Sequence, residues 1–393
     1  MGSNGTATFQ EIETKNDGAR FAFNVQWKDP MSGVVWKYQL MFYTFDNSIE
    51  MYDIKNARMF LRRIAFPELT VEQLYLGSVI TVYTRRLLIE EYADEFTRRN
   101  LQQLQERTVA VIKPDGVQHA GKIIEAICCN GFLIKQLRMC QLSLGQARDF
   151  YKEHEDKPFF DDLTRHMASG PCVAMELVAE DAIGKWKLLT GPTCVEVAKM
   201  KAPSSLRAQF GTDITRNTVH AAMSYEAARQ EGMHFFVDRS YAPCARLANC
   251  TLGIIKPHAI SAGAAGCVIS LIQEKFDITA MEMMVFSRAN AEEFYDIYKG
   301  VVQDFYAMTH ELSAGDIIAL EISNKESSQP NPVKCFRDLC GPIDPVIARQ
   351  LRPESIRAQF GVSKVKNAIH CTDLPDDGVL ECKFIFGHQW NHD

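Results

Sequence analysis

Twice in this chain an arginine is followed ten residues later by an asparagine, and three residues after that by a histidine. The first set is Arg207, Asn217 and His220 in LRAQFGTDITRNTVH; the second is Arg357, Asn367 and His370 in IRAQFGVSKVKNAIH. Each lies downstream of a Lys-Pro motif, Lys113 in VIKPDGV and Lys256 in IIKPHAI. The lysines are 143 residues apart, the arginines and the histidines 150, and the intervening segments match in order: EEFYDIYKG with RDFYKEHED, IIALEI with VAMELV. Five of the seven extra residues fall in the polar stretch around Asn324 to Pro332, where a loop lengthens at little cost. Such a repeat describes two homologous domains rather than a short-period solenoid.

Two domains of that size leave room for a third in 393 residues. Residues 1–20 are polar and Gly-rich and read as a flexible tail. From Phe21 the runs FAFNVQW, KYQLMFYTF and SIEMYDI are strand-like, with Asp46-Asn47 as a hairpin turn. GSVITVYTRRLLIEEY adds one or two strands, so residues 21–100 form a small, mostly β domain without a catalytic pattern. EFTRRNLQQLQERT (95–108) reads as a helix-prone linker.

In each copy the texture alternates. VAVIK is a buried strand, and GKIIEAICCNG is a helix with Ile123, Ile124 and Ile127 on one face and Asn130-Gly131 as its stop. FLIKQLRMCQLS and VAMELV are further strands. The expected class is α+β. The order βαββαβ is the ferredoxin-like arrangement, an antiparallel sheet with helices on one face.

A net charge of −6 and a pI near 6.0 argue against nucleic acid or an anionic membrane as a main partner, while a small anion can still use a locally basic pocket. No apolar stretch is long enough for a membrane helix. The start MGSNGT fits the loose myristoylation pattern, but no polybasic stretch follows, so it reads as tail. The twelve cysteines are scattered, with no zinc-type spacing, and read as reduced core thiols.

The duplicated residues suit phosphoryl transfer. A neutral imidazole has a nitrogen lone pair for attack on phosphorus, and the rest of the task is alignment and cations. Lys113 and Arg207 supply charge, and Asn217 hydrogen-bonds a hydroxyl or a phosphate. Glu231, eleven residues after His220, holds the other ring nitrogen, and Glu381 stands at the same offset from His370. There is no Walker loop, so side chains must bind the phosphates.

KPDGV, the Asn-x-x-His segment and DKPFF (156–160) resemble the nucleoside diphosphate kinase family, over residues 106–238 and 248–393. YTFDNSIEMYDIKNARMFLRR resembles the DM-ten domain of ciliary proteins, and the three-part order is similar to that of a ciliary branch of the family. The resemblance implies a ping-pong reaction through phosphohistidine, with ATP, ADP or another nucleotide carrying Mg2+ and no metal ligand from the protein. It also implies pairing of the two kinase-like domains within the chain. The implied locations are the cilium or flagellum axoneme, cytoskeleton, centrosome or basal body and cytoplasm, and the implied partners are tubulin, the doublet microtubule and other ciliary inner proteins.

By position, the resemblance implies that Lys113, Tyr151, Phe159, Lys187, Thr193, Arg207, Ile214 and Asn217 bind nucleotide in the first copy, with His220 and Glu231 catalytic. Phe159 and Ile214 would sandwich the base. The second copy offers Lys256, Tyr295, Arg337, Arg357 and Asn367, with His370 and Glu381. Departures occur in both. Lys187 replaces an arginine, and Ala221-Ala222 follow the first histidine where the family has Gly-Ser. KPHA replaces KPDG, Cys371 replaces Gly, Ile343 takes the Thr193 position, and Lys364 fills the apolar slot under the base. Three readings are compatible with these residues: a slowed phosphotransferase, carried by the first copy; a nucleotide-binding scaffold; and a purely structural microtubule component.

Overall fold

The computed structural model describes residues 19–29, 32–75, 78–101, 106–237, 241–326 and 331–387. The tail and its myristoylation pattern, and the middle of the inserted loop after Asn324, lie outside the described residues. The chain separates into two compact units, residues 1–106 and 107–393.

The first unit is a six-stranded antiparallel sheet. In spatial order its strands are Arg58–Ala65, Ser48–Asp53, Val35–Tyr43, Arg20–Lys28, Arg85–Tyr92 and Val79–Val82. Phe21, Phe23 and Val25 alternate into a core with Leu40, Phe42, Ile49 and Met51. The hairpin at Asp46-Asn47 pairs Tyr43 with Ser48, and Asn47 takes the left-handed backbone that asparagine tolerates. Two expectations change here. Arg58–Ala65 is an edge strand that the sequence reading omitted, because almost every side chain on it is exposed and no alternation marks it. Glu95–Leu101 is a helix of this unit rather than a linker: Leu101 and Thr97 are fully buried, and the Thr97 hydroxyl accepts from the Ala22 amide at 2.8 Å.

In the second unit each copy contributes a four-stranded antiparallel sheet. The first copy orders its strands as Val219–Ala221, Glu106–Ile112, Pro171–Ala179 and Leu133–Gln141, which is the 4-1-3-2 ferredoxin-like order. The second repeats it with Ile369–Cys371, Thr251–Ile255, Asp316–Asn324 and Phe276–Val285. Helices cover both faces of the sheet, not one. Ala110 and Ile112 join the core that holds Ile123, Ile124 and Ile127, while Val109 and Val111 join the core with Tyr151, Phe160 and Leu163. A strand buried on both sides is why VAVI is continuously apolar. The extra cover comes from Leu144–Phe150 and Phe160–Ala168, inserted between the second and third strands.

The two copies pair. Their second strands meet at Glu282 and Arg138, making one continuous sheet, and helix Ala120–Cys129 crosses helix Ala265–Lys275. At that crossing glycine is required twice, symmetrically. A Cβ on Gly121 would stand 2.3 Å from the Ser270 nitrogen, and one on Gly266 would stand 2.2 Å from the Glu125 nitrogen. Gln273 completes the seam: its Oε1 accepts from the Gly121 amide at 2.9 Å and its Nε2 donates to the Val117 carbonyl at 2.8 Å.

Candidate active site

In both copies the histidine sits on a three-residue edge strand beside the strand that leads into the lysine. His220 lies opposite Val111, and His370 opposite Ile254. This register brings groups over a hundred residues apart in sequence onto one sheet edge.

In the first copy Lys113 is buried. Its Nζ donates to Asn217 Oδ1 at 2.7 Å and to the Thr215 carbonyl at 3.1 Å. Asn217 in turn donates to the carbonyls of Thr193 and Ile214, at 3.0 and 3.1 Å. Arg207 donates to the Gly191 and Val219 carbonyls at 2.7 and 3.0 Å. Burial, then the Arg207 charge, lowers the Lys113 pKa to about 8, and burial lowers that of Arg207 to about 10. Two desolvated cations side by side are stabilised by a bound anion. Among the described residues, Arg207 Nε and the Tyr151 hydroxyl are buried without a hydrogen-bond partner, which is rare in a folded protein. The Tyr151 ring is 5.5 Å from His220, and burial pushes its hydroxyl pKa well up, so it stays a donor. Lys187 donates to the Met223 carbonyl at 2.8 Å. Thr193 is exposed, as are Phe159 (39%) and Ile214 (58%), the residues expected against the base.

His220 Nε2 stands 2.9 Å from Glu231 Oε2, but neither atom makes a hydrogen bond of acceptable geometry. The second copy differs at this point. There His370 Nε2 and Glu381 Oε2 are hydrogen-bonded at 3.0 Å, and the same carboxylate oxygen accepts from the Thr372 hydroxyl at 2.8 Å. Thr372 is held in turn by the Leu252 amide at 3.1 Å. The first copy has Ala222, fully buried, at this position, so nothing orients Glu231 through that contact. With Nε2 directed at the glutamate, Nδ1 is the ring nitrogen left for attack.

The rest of the second site is altered. Lys256 is buried and donates to the Val365 carbonyl at 2.8 Å; burial, then Arg357, lowers its pKa to about 7. Arg357 keeps its carbonyl partners, Gly341 at 2.9 Å and Ile369 at 3.1 Å. Asn367 donates to the Ile343 carbonyl at 3.4 Å, but its Oδ1 has no partner among the described residues. Tyr295 packs 5.7 Å from His370. Arg337 is engaged by Asp373, which also accepts from the Tyr298 hydroxyl. Lys364 turns away, 62% exposed, to within 3.6 Å of Asp344. Asp304 precedes helix Phe305–Leu312 as Phe159 precedes Phe160–Ala168, so the aromatic platform is missing.

The sequence reading omitted Trp186, whose indole donates to the His220 carbonyl at 3.2 Å, and the Tyr298–Asp373 contact. It also missed two acid–histidine pairs, Asp115–His166 and His258–Glu311. The aligned repeats carried the signal for these, since Asp becomes His where His becomes Glu. Among the described residues one cluster of metal-ligand type exists, Cys250, Glu321 and Cys382, but Glu321 already accepts from Arg246 N, Leu247 N and the Thr279 hydroxyl. The carboxylates near these groups are already engaged: Glu231 faces His220, Asp115 accepts from the Thr218 amide and Asp213 accepts from Arg216.

The family model for nucleoside diphosphate kinase matches residues 106–241 and 249–390. Nucleoside diphosphate kinase homolog 7 of Rattus norvegicus is 46% identical over 379 residues, 95% of each chain. That of Mus musculus is 45% identical over 376 residues, 95% of this chain and 94% of the other. Thioredoxin domain-containing protein 3 of Homo sapiens is 35% identical over 269 residues, 67% of this chain and 43% of its own. A crystal structure of Aquifex aeolicus nucleoside diphosphate kinase, 41% identical, covers 35% of this chain and 99% of its own, with a TM-score of 0.34.

Proposed function

The chain belongs to the nucleoside diphosphate kinase family, and we propose that it moves the terminal phosphoryl group from a nucleoside triphosphate to a nucleoside diphosphate through phosphohistidine, at reduced rate, mainly in the first copy. The observation that carries this is the buried Lys113–Arg207 pair with unpartnered donors on Arg207 and Tyr151, converging on a histidine backed by a carboxylate. His220 Nδ1 attacks the γ-phosphorus, and the bond to the bridging oxygen breaks, its electron pair leaving with the diphosphate. Lys113, Arg207 and Tyr151 meet the charge on the transferring group. Glu231 faces the Nε2 proton of the imidazolium that forms. A second diphosphate then attacks the phosphohistidine in reverse. Mg2+ on the nucleotide neutralises phosphate charge.

The rate is reduced because Glu231 is not aligned and Lys187 lacks an arginine's fork. The second copy holds an aligned dyad but lacks the base platform and has its arginine engaged, so it binds nucleotide weakly and turns over little. The test is alkaline-quenched labelling with γ-labelled ATP, in wild type, His220→Ala and His370→Ala. Label that survives His220→Ala and is lost in His370→Ala reverses the assignment. No label in any of them favours the scaffold.

The DM-ten resemblance supports a further part of the reading: association with tubulin on the ciliary doublet microtubule, alongside other inner proteins of the axoneme, and presence at the centrosome or basal body. A tagged chain in ciliated cells, with salt extraction of the axonemes, tests it. Label that stays diffuse in the cytoplasm overturns it.

A further inference from the structure

Two residues before each nucleophilic histidine the backbone turns left-handed at a residue that is not glycine: φ is 73° at Thr218 and 72° at Ala368. Such a backbone is costly and persists only where its surroundings impose it. Both peptide groups of the strained residue are held. Its carbonyl accepts from the amide of the site lysine, Lys113 to Thr218 at 2.8 Å and Lys256 to Ala368 at 2.9 Å. Its own amide is held by chemistry that differs between the copies.

In the first copy the Thr218 amide donates to Asp115 Oδ2 at 2.9 Å, and Asp115 Oδ1 meets His166 Nε2 at 2.7 Å. In the second the Ala368 amide donates to His258 Nε2 at 3.1 Å, and His258 Nδ1 meets Glu311 Oε1 at 2.5 Å. Acid and imidazole have exchanged places, yet the acceptor falls on the same backbone N–H. All four side chains are buried to within 14% exposure. The steric fit is exchanged too. A Cβ on Gly116 would come within 2.8 Å of the Thr218 γ-methyl and within 2.9 Å of the Thr218 carbonyl and the Ile112 side chain; the second copy, with Ala259 at that position, has no γ-methyl on Ala368 and so lacks the first of these contacts. KPHA is therefore a compensated version of KPDG rather than a damaged one.

We propose that Asp115–His166 and His258–Glu311 are positioning pairs: each holds the left-handed residue between the site asparagine and the nucleophilic histidine, and so fixes how both face the phosphate. Neither pair touches the reacting atoms. The proposal rests on the phosphotransfer reading for its kinetic effect but not for its structural one.

The test exchanges the chemistry within the full-length chain. Asp115→His alone puts an imidazole against His166 and removes the oriented acceptor. We expect the labelling rate at saturating ATP to fall about tenfold or more, with little change in the half-saturating concentration, because one charge-assisted hydrogen bond is lost behind the site. Adding His166→Glu recreates the second copy's arrangement and regains most of that loss. Exchange of the Thr218 amide, measured without nucleotide, speeds up in the single variant and slows again in the double. If Asp115→His does not fold, His166→Leu, which lacks a donor, is compared with His166→Gln, which keeps one; the glutamine regains what the leucine loses. A double variant no better than the single, or a leucine variant equal to wild type, overturns the proposal. Unlabelled wild type with the expected exchange pattern overturns the phosphotransfer reading and leaves the pairs standing.

Discussion

Replacing Ala222 with serine tests the clearest difference between the two sites. In the second copy the Thr372 hydroxyl donates to Glu381 at 2.8 Å, and that carboxylate hydrogen-bonds His370 at 3.0 Å. In the first, Ala222 leaves Glu231 at contact distance but out of alignment. A hydrogen bond to a charged group contributes about 1.5–3 kcal/mol, and each 1.4 kcal/mol is tenfold in rate if it acts only in the transition state. The hydroxyl acts through the carboxylate and is partly present in the ground state, so a fraction of that range is realised: about a tenfold gain for Ala222→Ser. The assay is rapid mixing with γ-labelled ATP, quenched in alkali, in a His370→Ala background so that label reports the first copy alone. The mirror variant, Thr372→Ala in a His220→Ala background, should slow whatever labelling the second copy retains by a similar factor. A crystal structure of the serine variant with its hydroxyl bonded to Glu231 and an unchanged labelling rate would refute the reasoning, because alignment would then not limit transfer.

Nucleotide affinity should fall as pH rises through the lysine values. Only protonated lysine attracts phosphate, so calorimetry with ADP should show binding to the first copy weakening about tenfold from pH 9 to 10, above the Lys113 value of about 8, and the second copy losing affinity roughly one unit earlier, following Lys256 at about 7. Folding stability moves the other way: the unfolded lysine, near 10.5, holds more protons than the folded one, so the Lys113 contribution raises the stability of the nucleotide-free protein between pH 8 and 10.5, which denaturant melts at several pH values would detect. Gly121→Ala and Gly266→Ala should each cost about 1–3 kcal/mol, seen as a lower melting temperature, because the added carbon meets the facing helix's backbone. Lys364→Val with Ile343→Thr should strengthen ADP binding at the second copy by restoring apolar cover and a hydroxyl at the base and phosphate positions; no gain would mean that the missing ring at Asp304 dominates.

Much of this protein is legible in one dimension. The repeat declares two like domains because the same ordered set of chemically costly residues does not recur by chance. Helix Ala120–Cys129 is readable because Ile123, Ile124 and Ile127 fall on one face, and its end because Gly131 takes the left-handed backbone. The lysine, arginine, asparagine, histidine and glutamate of the site are readable as types whose chemistry suits phosphate. Strand Arg58–Ala65 was not legible, since an edge with both faces open imposes no alternation.

What the tertiary structure decided is how those groups meet. Departures from the family pattern favoured the first copy as the more active, yet the second has the aligned dyad, because alignment depends on whether a hydroxyl two residues beyond the histidine reaches the carboxylate, as that of Thr372 does. KPHA looked like damage until folding placed Glu311 against His258, 53 residues away, and restored the same backbone acceptor. The seam between the copies likewise turns on two glycines whose need is set by a helix about 145 residues distant. Local pattern follows from each residue's own backbone and polarity, while orientation, compensation and close approach are pairwise properties of groups that only the fold brings within a few ångströms.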